Sequence, residues 1–159
     1  MAKYWTQELF GTRKPIIAMC HLMALPGDPG FDKSAGLGQV LQRARQDLLA
    51  LQDGGVDAVM FSNEFSLPYL TQVETVTVAA MARVIGELLR EVRVPFGVNV
   101  LWDPMASLDL AAATGEFFVR VIFTGLYAGV FGLLNLICGM TLSHQLQFEP
   151  EYLRLLCII

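Results

Sequence analysis

The chain has 159 residues, enough for one domain with a substantial core and too few for two of ordinary size. Its residues are 54% hydrophobic and 16% charged, against about 25% charged in an average soluble domain, so its apolar surface calls for a partner, a membrane or further chain to cover it. The net charge of −4 and the scattered Lys and Arg residues, which form no basic stripe, argue against a nucleic-acid partner.

The first ten residues carry charges and show no apolar stretch ahead of a small-residue cleavage site, so no secretion signal is read. They form an amphipathic lead-in whose Tyr4, Trp5 and Phe10 are expected to cover the floor of the fold or a subunit contact. The apolar run 15–20 ends at His21 and breaks into Leu-Pro-Gly-Asp-Pro-Gly, a loop signature, which makes it a first strand. Cys20 lies inside this run and reads as an inert buried thiol, because a reactive thiolate needs positive charge nearby. Residues 39–51 set Val40, Leu41, Ala44, Leu48 and Leu51 on a helical stripe that Gly54 and Gly55 stop.

The pattern then repeats. Residues 56–61 form a second apolar run ending in Ser62, Asn63 and Glu64, and 76–92 a second amphipathic helix. Residues 94–101 form a third run, followed by a helix over 104–113 with Asp103 as its cap and Pro104 at its first position. Fourth and fifth strands are predicted over 117–123 and 152–158. Continuous apolar strands alternating with helices imply a parallel sheet covered by helices, either a barrel or an open doubly wound sheet. The first strand–helix connection holds no GxGxxG and no GxxxxGK[ST], so the barrel is preferred: an α/β, TIM-barrel-type (β/α) repeat of about five strands in one partial domain over 1–159.

The polar residues that interrupt the apolar runs sit where a barrel carries its chemistry, at the C-terminal ends of the strands. Alternation in the third strand sends Gly97, Asn99 and Leu101 inward and Phe96, Val98 and Val100 to the helices; Ser62 and Met60 share an inward face with Glu64, as Phe118 and Ile122 do with Arg120. His21, Glu64 and Asp103 are the candidate catalytic residues. Imidazole and carboxylate can exchange protons near neutral pH, and Asp103 can pair with His21 or take a magnesium-type ion. Asn63, Asn99 and Arg120 are the candidate substrate ligands, the guanidinium for a carboxylate or phosphate. Structural alternatives stand beside each: a loop histidine at 21, an internal ion pair between Glu64 and Arg120, and a helix cap at Asp103. Cys20, Cys138 and Cys157 form no CxxC pair and no zinc-ligand spacing, so no metal site is assigned, no cofactor is indicated, and a reduced cytoplasmic setting is expected.

The segments KPIIAMCHL (14–22), DGGVDAVMFSNE (53–64), PFGVNVLWD (95–103) and FVR (118–120) together resemble the BtpA/SgcQ family. Phe-Thr-Gly (123–125), Tyr-Ala (127–128), Phe-Gly-Leu (131–133) and His-Gln (144–145) keep the family's spacing more weakly. The resemblance implies complete barrels of about eight strand–helix units, with about half absent here. It implies either a small-molecule enzyme acting on a sugar or phosphate ester at the C-terminal rim, or a non-catalytic factor in the biogenesis of a photosystem I-type membrane complex. The family carries acidic and polar residues after the fourth strand, where this chain has Val121, Val130, Leu134 and Ile137, which puts retention of activity in question.

From Val121 to Phe148 there is no Lys, Arg, Asp or Glu. That length suffices for a membrane span, and Gly125 and Gly129 give a GxxxG pattern. Four glycines and several polar residues weigh against insertion. Homo-oligomerisation through 121–148 is the preferred expectation, with peripheral membrane association left open.

Overall fold

The computed structural model describes residues 4–121, 126–129, 132–135 and 153–157. The elements follow as α1 (Trp5–Phe10), β1 (Ile17–His21), α2 (Gly36–Asp53), β2 (Ala58–Ser62), α3 (Thr75–Leu88), β3 (Phe96–Asn99), α4 (Pro104–Thr114), β4 (Phe118–Val121), β5 (Leu126–Gly129), β6 (Gly132–Asn135) and β7 (Arg154–Cys157). Strands β1, β2, β3, β4 and β7 form one sheet in that order, every pair parallel.

Helix ends follow local chemistry. The turn before α2 is organised by Asp32, whose Oδ1 accepts from the Ser34 hydroxyl and from the Ser34 and Ala35 N–H groups. The third helix stops at Leu88, before the apolar period does. There the Glu91 N–H closes a turn on the Leu88 carbonyl, and the Glu91 carboxylate turns to Arg45 of α2 at 2.7 Å. Helix α4 starts as expected: Asp103 Oδ1 accepts from the Ala106 N–H at 3.0 Å, Pro104 takes the first position, and Gly115 ends the helix at φ 73°.

The two faces of the sheet are covered differently. Cys20, Val59, Phe61, Phe96, Val98 and Val119 pack against Val40, Ala44 and Leu48 of α2, Met81, Val84 and Ile85 of α3, and Leu108 and Ala111 of α4 in one apolar cluster. All three helices therefore lie on a single side of strands that pair in sequence order. A doubly wound sheet distributes its helices over both sides, so this arrangement is a partial (β/α) barrel. Cys20 is fully buried here; its thiol donates to the Ala44 carbonyl at 3.5 Å, and burial pushes it up to about 12, which makes it inert.

The opposite, interior face carries Ile17, Met19, Ala58, Met60 and Phe118, floored by Trp5, Leu9 and Phe10 of α1. The Phe10 ring meets Phe118 edge-on at 5.4 Å, and Trp5 lies 6.0 Å from Phe10. The lead-in thus forms the floor of the fold, as expected for Trp5 and Phe10. Tyr4 is exposed, with the Arg13 guanidinium 4.1 Å from its ring centroid. Gly97 makes this packing possible, since a Cβ there would run into the Phe118 carbonyl and ring. The sheet also curls: Arg120 of β4 donates to Met19 Sδ of β1 at 3.7 Å, although three strand spacings in a flat sheet come to roughly 14 Å.

The stretch after β4 departs from a continuous membrane helix. Leu126–Gly129 pairs antiparallel with Gly132–Asn135, with Leu126 opposite Asn135 and Gly129 opposite Gly132. Among the described residues no helix is long and apolar enough to cross a membrane. The remainder of the expected 121–148 interface lies largely outside the described residues, as do Cys138 and His144.

Candidate functional site

The register of the parallel strands brings the interior residues into layers. His21 stands opposite Ser62, and Ser62 opposite Asn99. Gly97 stands opposite Phe118, so two residues further on Asn99 comes level with Arg120, which faces Leu156 on β7. His21, Ser62, Asn99 and Arg120 are therefore one row at the C-terminal ends of four adjacent strands, directly above the layer of Met19, Met60, Gly97 and Phe118.

At one end of the row His21 Nε2 lies 4.0 Å from Glu64 Oε2, with both side chains more than a third exposed. Glu64 sits just past β2 and is held by Tyr69, whose hydroxyl lies 3.1 Å from both the Glu64 carbonyl and its Oε1. Burial, then the hydrogen bond and charge of Glu64, raise the Tyr69 phenol above its ordinary value, so it stays a donor. Phe65 closes on the edge of the imidazole, ring centroids 6.4 Å apart.

At the other end Arg120 is half-buried and contacts a thioether rather than a carboxylate. Arg120 contrasts in this with four other arginines. Arg43, Arg45, Arg83 and Arg93 pair with Asp47, Glu91, Glu87 and Asp53 at 2.6–3.1 Å. Among the described residues Arg120 has no such partner, and Glu64, a candidate counter-ion in the sequence, is turned to His21 instead. A guanidinium with donors to spare is chemically able to grip an anion bidentately.

Asn63 and Asp103 stand behind the row and hold its loops. Asn63 is almost fully buried, and its Oδ1 accepts from the Leu101 N–H at 2.7 Å, tying the end of β2 to the turn after β3. Asp103 accepts from the Ala106 N–H through Oδ1 and from the Val73 N–H at 2.9 Å through Oδ2, so it caps α4 and anchors the β2–α3 loop together. It does not pair with His21. In this geometry both hold loops of the rim; the sequence pointed to Asn63 as a ligand and to Asp103 as acid–base group or cap. Between them Trp102 is forced to φ 70°, a conformation non-glycine residues rarely adopt, and its ring lies against Tyr69 at 6.3 Å. Asp28 completes the lacing, accepting from the Leu25 N–H and from the Ser66 hydroxyl at 2.7 Å, which joins the first rim loop to the second.

Three participants carried no distinct signal in the sequence. Tyr69 and Asp28 lie in loops without periodicity. Ser62 was placed on the inward face but had nothing to separate it from an ordinary strand-end serine. No group of three or more His, Cys, Asp or Glu suited to a metal occurs among the described residues.

This strand-end arrangement lies within a sequence that matches the BtpA family over residues 12–156. The chain is 62% identical to the sgc region protein SgcQ of Escherichia coli (strain K12) over 141 residues, 89% of this chain and 53% of that protein. It is 35% identical to the photosystem I biogenesis protein BtpA of Synechocystis sp. over 131 residues, 80% of this chain and 45% of that one. An uncharacterized protein of Pyrococcus abyssi is 37% identical over 114 residues, 70% of this chain and 43% of its own length. The chain spans about half the length of the curated relatives it matches. With the matched stretch holding every residue of the strand-end row, the chain belongs to the BtpA family.

Proposed function

We propose that the C-terminal rim is the ligand site of a small-molecule enzyme that takes an anionic substrate, a sugar or phosphate ester, and acts on it by proton transfer. The observation that carries this reading is Arg120, a half-buried cation in the His21–Ser62–Asn99 row with no carboxylate partner among the described residues. A substrate oxyanion would rest on its guanidinium, Asn99 would orient a neighbouring hydroxyl, and His21 with Glu64 would take and return a proton. Tyr69 fixes the carboxylate from behind. NMR titration with inorganic phosphate and a panel of phosphorylated sugars tests this. Shifts at His21, Asn99 and Arg120 are expected, with Arg120→Gln weakening binding about tenfold or more. Equal binding by wild type and variant would remove the anion site.

A second reading rests on the charge-free run from Val121 to Phe148: the chain self-associates through it, in the cytoplasm or against a membrane surface, as an interaction protein. The name of the Synechocystis relative, a photosystem I biogenesis protein, lends this a precedent. Sedimentation without detergent is expected to give a dimer or larger species; a monomer at micromolar concentration overturns it.

A further inference from the structure

The strand-end row contains one group whose chemistry the chain leaves incomplete. Ser62 is fully buried, and its Oγ has no hydrogen-bond partner among the described residues. The two residues below it on the same face of β2 are Met60 and Ala58, both packed into the apolar floor with Phe118 and Phe10. By register its neighbours are His21 on one side and Asn99 on the other. A buried hydroxyl without a partner lowers stability, and alanine, already used two layers lower, would avoid that loss. A buried polar group left unsatisfied calls for an explanation, and a ligand that completes it is one.

We propose that Ser62 Oγ is a ligand contact and that the ligand is an anionic polyol, a small molecule carrying an oxyanion and a neighbouring hydroxyl. The inference rests on the anion-binding reading of the rim and deepens it by adding Ser62 to the groups that read the substrate's hydroxyl. Arg120 crosses the interior to reach Met19, one layer beneath His21, so its guanidinium lies under the row rather than at its outer edge. An oxyanion seated on it is thereby brought toward the strands that carry Ser62 and Asn99. The adjacent hydroxyl then exchanges hydrogen bonds with the Ser62 hydroxyl and the Asn99 amide, groups that each combine donor and acceptor capacity. An oxyanion without that hydroxyl engages Arg120 and leaves Ser62 unpaired.

The test uses two probe pairs on the purified chain: inorganic phosphate against glycerol 3-phosphate, and acetate against glycerate, with Tm measured for every variant. In wild type the hydroxylated member of at least one pair is expected to bind about tenfold more tightly than its partner, and which pair shows the preference identifies phosphate or carboxylate as the anion. Ser62→Ala is expected to abolish that preference while leaving Tm equal or higher, since no partner among the described residues is lost. Arg120→Gln is expected to weaken both members alike. A Ser62→Ala variant that keeps the preference, or whose Tm falls, overturns the role of Ser62. Binding of phosphate or acetate with no preference for the hydroxylated partner overturns it too, while the anion site stands. Failure of all four probes to bind wild type overturns both.

Discussion

The two faces of the parallel sheet are made of the same strands and have opposite characters. Toward the helices, Cys20, Val59, Phe61, Phe96, Val98 and Val119 are apolar from one end of each strand to the other and close to fully buried. Toward the interior, the character changes along the strand: a floor of Ala58, Met60, Phe118 and α1, then a row of His21, Ser62, Asn99 and Arg120. One face is apolar along its whole length, and the other only in its lower half. Alternation along a strand lets both demands be met with a period of two residues, so Phe61 and Ser62 are neighbours in sequence with unrelated tasks.

The strongest way to break that contrast is to empty the helix-side face. Phe61 is fully buried, with its ring 6.2 Å from that of Phe96. Phe61→Ala removes its packing and leaves a cavity that the surrounding helices fill only in part, for an expected loss of about 3–5 kcal/mol. Chemical denaturation would show this as a lowered midpoint with an unchanged m-value. Such a loss is a large fraction of the stability of an ordinary domain, whereas Ser62→Ala, one residue away, is expected to cost nothing. Equal losses at the two positions would mean that the faces do not divide the work.

Most of the helix-side face was legible in the sequence, and the interior only in part. Continuous apolar runs and the stripe of Val40, Ala44 and Leu48 need no partner to be recognised, because burial on that side is uniform. His21, Asn99 and Arg120 could be placed at the rim since each is a polar residue at the end of an apolar run, with a parity that alternation makes explicit. What Asn63 and Asp103 do could not be read in full. The N–H groups they bind on Leu101 and Val73 lie 38 and 30 residues away in the chain, beyond any local spacing rule, although the cap at Ala106 was within reach. The antiparallel pair β5–β6 was hidden for a different reason: a charge-free run has no polar–apolar contrast, so neither a period of two nor one of 3.6 stands out.

The interior can be probed at its lower end by pH, with a smaller effect. Glu116 lies two residues before Phe118, is almost fully buried, and burial pushes its carboxyl up to about 7, against the hydrogen bond it accepts from Thr114. Its Oε1 has no partner among the described residues. The Thr114 hydroxyl also faces the Leu110 carbonyl at 2.8 Å and has a single proton to give. A protonated Glu116 can donate to Thr114 Oγ1 while Thr114 donates to Leu110, so the neutral acid satisfies the chain of groups better than the carboxylate. With its pKa raised from 4.5, the folded chain binds more protons at this site than the unfolded chain. The contribution of this group to stability should therefore be fully present below about pH 4.5, fall as pH rises toward about 7, and level off above, by about 3 kcal/mol. Glu116→Gln should remove that slope and make the protein more stable than wild type at pH 8, as read from Tm across a pH series. If the slope persists in the variant, it arises elsewhere, and the floor of the interior is as inert as the helix-side core.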